Sequence, residues 1–170
     1  KAYREQHGLN IVVVIPNNAY GPGDNFDPEY SHVIPSLIRK CFAHEDPLLV
    51  WGDGTPTRDF LYVKDTVRGF MAIAEHESTI GQVVNIGTGK GISISELVKL
   101  IMKLTGTTKK IVSEHQRVRP KNSEVMKLIC SYKKANRLTG WKPQFTIDQG
   151  LANVINYIKD NLDKYKTGIY

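Results

Sequence analysis

The chain has 170 residues, of which 41% are hydrophobic and 24% charged, so it has enough apolar residues for a core. No apolar run approaches the ~20 residues of a membrane span, and the opening residues, KAYREQHGLN, do not resemble a signal peptide. The net charge of +6 suits a polyanionic partner, but scattered basic residues and the lack of zinc-ligand spacing or an RNA-binding aromatic motif argue against nucleic acid.

The first predicted elements are the end of a helix, AYREQH, closed by Gly8, and a strand in the run IVVVI. The continuous β-branched run predicts a strand that is covered on both faces. A helix followed at once by such a strand indicates that the chain begins in the middle of an α/β fold. The next helix is predicted in HVIPSLIRKCFAH, with Pro35 tolerated in its first turn.

Short strands are predicted along the rest of the chain at LLVWG, FLYV, VVNIG, KIVSE and EVMKLIC. The helix predicted in VKDTVRGFMAIAEH has Val67, Phe70, Met71 and Ala74 on one apolar side. The pattern is mixed α/β throughout, without a repeat or an obvious linker.

Capping residues mark the starts of three further helices. Ser93 and Glu96 form a predicted capping box before ELVKLIMKLTG, and Thr146 and Gln149 form another before LANVINYIKDNLDKY. Ser131 is the predicted N-cap of YKKANRLTG.

Asparagine and glycine follow two of the predicted buried strands, in IVVVIPNNAYGPG and VVNIGTG. Ligands of open α/β sheets bind at the carboxyl ends of the strands, so Asn17, Asn18 and Asn85 are candidates for contacts with a polar ligand. The alternative is that these residues only satisfy turn geometry.

The stretch VWGDGTPTRDFLYVKD combines an aromatic ring with a cation. Trp51 can stack on a planar base and Arg58 can clamp phosphate oxygens, so together they can hold the two ends of a nucleotide. The alternatives are that Trp51 belongs to the core and that Arg58 pairs with Asp59 or Asp65.

Two further segments carry candidate side chains. Arg117 and Arg119 alternate in EHQRVRPKNSEV, which suggests either a diphosphate contact or a solvated basic loop. His32, in YSHVIP, is of the residue type that most readily acts as an acid or base near neutral pH, although a lone loop histidine is usually structural.

Taken in order, six segments resemble the C-terminal half of the extended short-chain dehydrogenases/reductases, the NAD(P)-dependent epimerases and dehydratases of nucleotide sugars. The segments are PNNAYGPGDNF, SHVIPSLIRK, VWGDGTPTRDFLYVKD, VVNIGTGKGISISEL, RVRPKNSEV and KANRLTGWKPQFTIDQGL. The implied fold is α/β: the last strands and helices of a Rossmann-like parallel sheet plus a small mixed α/β substrate-binding domain.

The resemblance also implies roles for individual residues. Pro16 and Asn17 match positions beside the nicotinamide of NAD or NADP, and His32 matches the acid of the GDP-fucose synthases. The positions implied to bind the nucleoside-diphosphate sugar are Asn18, Arg39, Lys40, Trp51, Arg58, Asn85 and Arg119.

The two ends of the chain resemble different subfamilies. GDNFDPEYSHVIPSLIRK and VWGDGTPTRDFLYV are most similar to the GDP-fucose synthases, whereas the tail RVRPKNSEVMKLICSYKKANRLTGWKP is similar to nucleotide-sugar 4,6-dehydratases and 4-epimerases. The choice among dehydratase, epimerase and epimerase-reductase therefore stays open.

The family's Gly-rich loop and Tyr-x-x-x-Lys pair are expected upstream of residue 1, so the chain is interpreted as a fragment that is inactive alone. The expected division is the end of the dinucleotide-binding domain at 1–22, a substrate-binding segment at 23–61, a return to the dinucleotide-binding domain at 62–89, and a C-terminal substrate-binding domain at 90–170.

The expected setting is the cytoplasm, with a homodimeric parent enzyme, no membrane partner and no bound metal. Cys41 and Cys130 lie far apart in apolar surroundings, which favours free thiols over a disulfide. The rival interpretations are a non-catalytic nucleotide-binding module and, less favoured, a basic nucleic-acid-binding domain.

Overall fold

A computed structural model of the chain describes residues 2–25, 30–114 and 125–161, and it has the predicted mixed α/β fold. The helices of this part are α1 (Ala2–His7), α2 (Val33–Phe42), α3 (Val63–Glu75), α4 (Ile94–Thr105), α5 (Lys133–Thr139) and α6 (Ile147–Lys159). The strands are β1 (Val13–Pro16), β2 (Asn18–Tyr20), β3 (Leu48–Trp51), β4 (Thr57–Arg58), β5 (Phe60–Tyr62), β6 (Val83–Ile86), β7 (Ile92–Ser93), β8 (Ile111–Glu114) and β9 (Lys127–Leu128).

The strands form three parallel pairs and one mixed sheet. β1 pairs with β6, β2 with β5, and β3 with β8, while β4 lies between antiparallel β7 and parallel β9. Only Asn17 separates β1 from β2, so the chain passes from one parallel pair to the next within a single residue.

Two hydrophobic clusters meet at β5. Phe60 and Tyr62 belong to the larger cluster, which includes residues of α2, α4 and α6, whereas Leu61 belongs to the smaller cluster, which includes residues of α3, α5 and β6. Successive side chains of a strand point to opposite faces, so β5 is buried on both sides. The FLYV run therefore forms the central strand between the two cores.

The two capping boxes and the glycine cap predicted from the sequence are present in the structure. Ser93 with Glu96 and Thr146 with Gln149 form complete capping boxes at the starts of α4 and α6, and Gly8 closes α1 with a φ of 64°. The prediction for Ser131 is wrong, because α5 begins one residue later with Tyr132 at its N-cap and no side-chain cap.

The predicted apolar side of α3 is also wrong. Val67, Phe70 and Met71 are exposed, whereas Asp65, Gly69 and Ile73 face the interior. Gly69 allows the helix to approach the smaller cluster closely, since a Cβ there would lie 3.0 Å from Ile86 Cδ1. Asp65 is held inside by hydrogen bonds from the N–H groups of Gln144 and Phe145. These bonds and the close approach at Gly69, and not apolar character, set the orientation of this helix.

β1 differs from the predicted strand covered on both faces. Val12 and Val14 pack against the smaller cluster, but Val13 and Ile15 on the opposite face are exposed. The β-branched run thus predicts the strand correctly, while its second face is not covered within the described residues.

Tyr20 joins β2 to α6. Its hydroxyl donates to the Ile147 carbonyl over 3.4 Å, and burial raises the pKa of Tyr20 well above its ordinary value. Gly150 of α6 faces this hydroxyl, and a Cβ at residue 150 would lie 2.0 Å from it. Only glycine therefore fits at this position without a shift of the ring.

Both cysteines are free, as predicted, with Cys41 buried and Cys130 half-buried. Within the described ranges, no helix combines the length and apolar character that a membrane crossing requires.

Candidate functional site

The candidate site begins where the carboxyl ends of β1 and β6 lie side by side. Pro16 is in register with Ile86, and the backbone N–H of Asn17 donates to the Ile86 carbonyl over 2.9 Å. This edge of a parallel pair is where ligands of open α/β sheets bind. The polar ends of the two predicted strands are therefore brought together, as we expected.

Two asparagine side chains mark this edge. Asn18 Nδ2 donates to the Asp59 carbonyl over 2.8 Å and to Asn17 Oδ1 over 3.2 Å. Asn17 Nδ2 is buried and has no hydrogen-bond partner among the described residues. A buried donor without an acceptor is costly, so this amide is a candidate for a hydrogen bond to a ligand.

Asp59 is the fully buried carboxylate that connects the edge to two other segments. Thr88 donates to it through both its hydroxyl and its backbone N–H, and Asp59 Oδ2 also accepts from the N–H groups of Gly89 at 3.0 Å and Cys130 at 3.2 Å. These donors compensate the loss of hydration of the charge. One carboxylate thereby holds together the loop after β6 and the segment after β9.

Close approach at this point depends on Gly87. A Cβ at residue 87 would lie 2.5 Å from Cys130 Cβ and 3.0 Å from Asp59 Oδ2. The glycine turn predicted after β6 is thus required for packing. Burial, together with the charge of Asp59, raises the pKa of the Cys130 thiol.

Arg58 directly precedes Asp59 in the chain. It lies in β4, the middle strand of the mixed sheet, and its Nη1 donates to the Thr57 carbonyl over 3.0 Å. Asp65, one of the acids considered as its partner, instead accepts from Arg68 Nη1 at 2.7 Å and from the N–H groups of Gln144 and Phe145.

Trp51 and Lys40 form a second group of candidate residues, on β3 and α2. Trp51 is 46% exposed, so the interpretation of Trp51 as a core residue is wrong. The Lys40 ammonium lies 5.6 Å from the centroid of the Trp51 ring and donates to the Leu49 carbonyl over 2.7 Å. Lys109 donates to the carbonyls of Lys40 and Ala43, which closes the end of α2.

Arg39 lies beside Lys40 in the last turn of α2. Its Nε is buried and has no hydrogen-bond partner within the part of the chain that the structure describes. Arg39 therefore retains a donor that a phosphate oxygen can satisfy.

His32 stands at the start of α2 as its N-cap residue, without a side-chain capping bond. Its side chain is 74% exposed, and its Nδ1 lies 3.0 Å from Asp24 Oδ1. The ring is thus oriented by a carboxylate from the loop that follows β2.

Asn85 and Arg119 are the two remaining candidates from the sequence. Asn85 is exposed on the face of β6 that also carries Val83, opposite the buried Val84 and Ile86. Arg119 and its neighbour Arg117 fall outside the described residues.

Sequence reasoning missed two acids of this region. Asp59 stands between a cation and the apolar FLYV strand, and a carboxylate at the edge of a buried strand must find donors, which is a usable signal. Asp24 has no comparable signal, because its partner His32 follows eight residues later.

No group of three or more His, Cys, Asp or Glu residues that could hold a metal ion occurs among residues 2–25, 30–114 and 125–161.

Comparison with known proteins confirms the family resemblance. Residues 1–87 match the NAD dependent epimerase/dehydratase family. The chain is 37% identical over 171 residues to GDP-L-fucose synthase of Sinorhizobium fredii, covering 95% of this chain and 52% of that protein. It is 34% identical over 166 residues to probable GDP-L-fucose synthase 1 of Oryza sativa subsp. japonica, covering 95% and 49%.

A solved structure is also similar. UDP-glucose 4-epimerase of Thermotoga maritima, determined with UDP-glucose, superposes with a TM-score of 0.85 at 30% identity, covering 95% of this chain and 50% of that one. The chain thus spans about half the length of the curated relatives it matches.

Proposed function

Because this chain belongs to the NAD dependent epimerase/dehydratase family, we propose that it is the substrate-binding portion of an NAD(P)-dependent enzyme that acts on a nucleoside-diphosphate sugar. The observation that carries the proposal is the junction at the ends of β1 and β6. There a buried amide donor on Asn17 has no partner among the described residues, and the hydrogen bond from Asn18 to the Asp59 carbonyl holds the segment that carries Arg58 at this edge.

The residues of the junction suit the sugar-diphosphate part of such a ligand. Arg58 offers a guanidinium to phosphate oxygens, and the carbonyl oxygen of Asn18 can accept from a sugar hydroxyl while its Nδ2 is held by Asp59. Arg39 supplies a further buried donor. Asn85 and Arg119 remain candidates on the strength of the family resemblance.

Trp51 is proposed to stack on the nucleobase. Its ring is partly exposed, and a cation over an aromatic face stabilises the ring position. Lys40 donates to a carbonyl and lies over this ring, so we propose that it supports Trp51 in addition to any phosphate contact.

The cofactor, NAD or NADP, is proposed to present its nicotinamide end to Pro16 and Asn17. The residues fit such a group, because Asn17 Nδ2 is a buried donor that lacks an acceptor in the described structure. When bound, such a cofactor would supply hydride transfer at C4 of the sugar. Pro16 and Asn17 would position the edge of the nicotinamide ring against the sugar, which is the contribution proposed for this chain.

We propose that the parent enzyme, expected to be a homodimer, is an epimerising enzyme of the GDP-L-fucose synthase kind. The support is the similarity to the two relatives of that name and the placement of His32, exposed and oriented by a carboxylate. His32 then exchanges a proton at a carbon next to the C4 carbonyl, a position whose hydrogen is acidified by that carbonyl.

The competing function is 4-epimerisation or 4,6-dehydration, which the similarity to the Thermotoga maritima epimerase favours. These reactions do not require His32 as an acid. Substitution of His32 in the full-length protein therefore separates the two functions.

The test measures binding and turnover in the full-length protein with GDP-, UDP- and dTDP-sugars. We expect GDP-sugars to bind most tightly, and His32→Asn to retain substrate affinity while losing about 100-fold or more in turnover, the usual contribution of a general acid. His44→Asn, at an exposed position beyond α2, is the matched control and should behave as wild type. Turnover within a few-fold of wild type in His32→Asn would end the epimerising proposal, and lack of binding to all three nucleotide sugars would end the broader one.

A further inference from the structure

We infer that Asp24 is a positioning residue that fixes the proton of neutral His32 on Nδ1 and presents Nε2 as the atom that exchanges protons with the substrate. The catalytic consequence rests on the proposed epimerase function, whereas the tautomer does not. The observation is the 3.0 Å separation of His32 Nδ1 and Asp24 Oδ1.

The chemistry of the pair sets the tautomer. An ionised carboxylate only accepts hydrogen bonds, so the ring nitrogen that contacts it must carry the proton. In neutral His32 this leaves the lone pair on Nε2, at the far side of the ring. In the imidazolium form both nitrogens carry protons, and the carboxylate still accepts from Nδ1.

Both partners are anchored in the fold. His32 is the N-cap of α2, where its carbonyl accepts from Ser36 N–H at 3.0 Å, and Ile34 and Pro35 in the first turn of the helix are buried. Asp24 closes a turn on Gly21, whose carbonyl accepts the Asp24 N–H at 3.3 Å. Gly21 is buried against α3, since a Cβ there would lie 2.3 Å from Val63 Cγ1. The pair therefore connects the end of β2 to the start of α2.

The surroundings of the Asp24 carboxylate favour its hydrogen bond with His32. Asp24 Oδ1 also accepts from Asn25 N–H at 2.8 Å, while Oδ2 is buried with no hydrogen-bond partner among the described residues. A carboxylate with one oxygen removed from water interacts more strongly with the donors at the other oxygen. In contrast, the exposed His32 ring can regain protons from solvent.

His32 acts after a base has removed the proton from the carbon next to the C4 carbonyl, which leaves the substrate as an enolate. The enolate takes a proton from Nε2 of the His32 imidazolium. The electron pair of the enolate forms the new C–H bond, its oxygen becomes a carbonyl again, and His32 is left neutral with its proton on Nδ1. Solvent then returns a proton to Nε2.

The first measurement is ¹⁵N NMR of the full-length protein, in which the His32 signals are assigned by their loss in His32→Asn. Neutral His32 is expected as the Nδ1–H tautomer in wild type. In Asp24→Asn the side-chain amide can donate to Nδ1, so a substantial Nε2–H population is expected. Asp160→Asn removes the same charge at an exposed position directly after α6 and should leave the His32 signals unchanged.

The second measurement is incorporation of solvent deuterium into a 4-keto nucleoside-diphosphate sugar. We expect Asp24→Asn to lower the exchange rate about 10- to 100-fold with KM within about twofold, because Asp24 acts on the tautomer and not on binding. Asp24→Glu retains the carboxylate and should recover part of the rate. Thermal unfolding of each variant verifies that it is folded.

The outcomes separate this inference from the proposed function. An Nε2–H tautomer in wild type, or an unchanged tautomer and rate in Asp24→Asn, would overturn the inference even if wild type exchanges deuterium. If the His32 tautomer changes in Asp24→Asn but the wild-type protein shows no deuterium exchange, the Asp24–His32 contact stands and the proposed epimerase function is rejected.

Discussion

Replacement of Asp59 gives the sharpest test of how the candidate site is held together. The carboxylate is fully buried and accepts from the backbone N–H groups of Thr88, Gly89 and Cys130. In Asp59→Ala all three donors lose their acceptor. A buried unsatisfied donor costs about 1–3 kcal/mol, so we expect the free energy of unfolding to fall by about 3–6 kcal/mol after partial entry of water.

Asp59→Asn should be much milder, for a geometric reason. If the amide nitrogen replaces Oδ1, the remaining oxygen at Oδ2 can still accept from Gly89, Cys130 and Thr88 N–H, which lie at 3.0, 3.2 and 3.2 Å. The Thr88 hydroxyl, which donates to Oδ1 in wild type, can rotate and accept from the new amide. Only the charge assistance is lost, so we expect about 1–3 kcal/mol.

The assay is urea unfolding of the full-length protein, with Asp160→Asn as a control for loss of an exposed negative charge. Both Asp59 variants should shift the unfolding midpoint, Ala by clearly more than Asn, with an unchanged m-value. Equal effects of Ala and Asn, or a loss below about 1 kcal/mol in Ala, would refute the assignment of Asp59 as the common acceptor of these donors.

Three further outcomes are expected. Arg58→Ala should weaken binding of nucleotide sugars by calorimetry by about 1.5–3 kcal/mol, whereas the exposed Arg137→Ala, with the same loss of charge, should not; equal affinities would contradict the phosphate role. Gly150→Ala should destabilise the protein by about 1–2 kcal/mol in thermal unfolding, because the new methyl group collides with the Tyr20 hydroxyl. Tyr20→Phe in the Gly150→Ala background removes that hydroxyl and should recover part of the loss. An unchanged melting temperature in Gly150→Ala would contradict the close contact between residues 150 and 20. The 170-residue chain alone should not turn over any nucleotide sugar with NAD or NADP, since it contains neither a Tyr-x-x-x-Lys pair nor the Gly-rich loop, and steady turnover would contradict this.

The sequence predicted those features of the fold that depend on neighbours in the chain. The capping boxes at Ser93 and Thr146 are formed by side chains three residues apart, so the local pattern suffices. The inward face of α3 could not be predicted in this way, because two sets of residues have helical spacing. The apolar set is exposed, while the buried set depends on Asp65 reaching the N–H groups of Gln144 and Phe145, about 80 residues further along the chain.

The same limit applies to the candidate site. Polar residues at the ends of β1 and β6 are visible in the sequence, and the rule for parallel sheets correctly brings these ends together. The contacts of Asp59 with Thr88 and Cys130, 29 and 71 residues away, arise only from tertiary packing. Asp24 and His32 are closer in sequence, but only the turn at Gly21 and the start of α2 determine that they meet.

The placement of Arg58 follows from the burial of its neighbour. Residues 58 to 60 run through two consecutive short strands, and successive side chains of an extended segment point to opposite sides. Since the Asp59 carboxylate is directed inward to the loop after β6, we expect the Arg58 side chain to leave on the other side of the backbone. Asn18 donates to the Asp59 carbonyl and so holds this segment against the end of β1. The burial of Asp59 thus accounts for the expected direction of Arg58, so that in the proposed function the first residue of the RD pair contacts the ligand and the second holds the site.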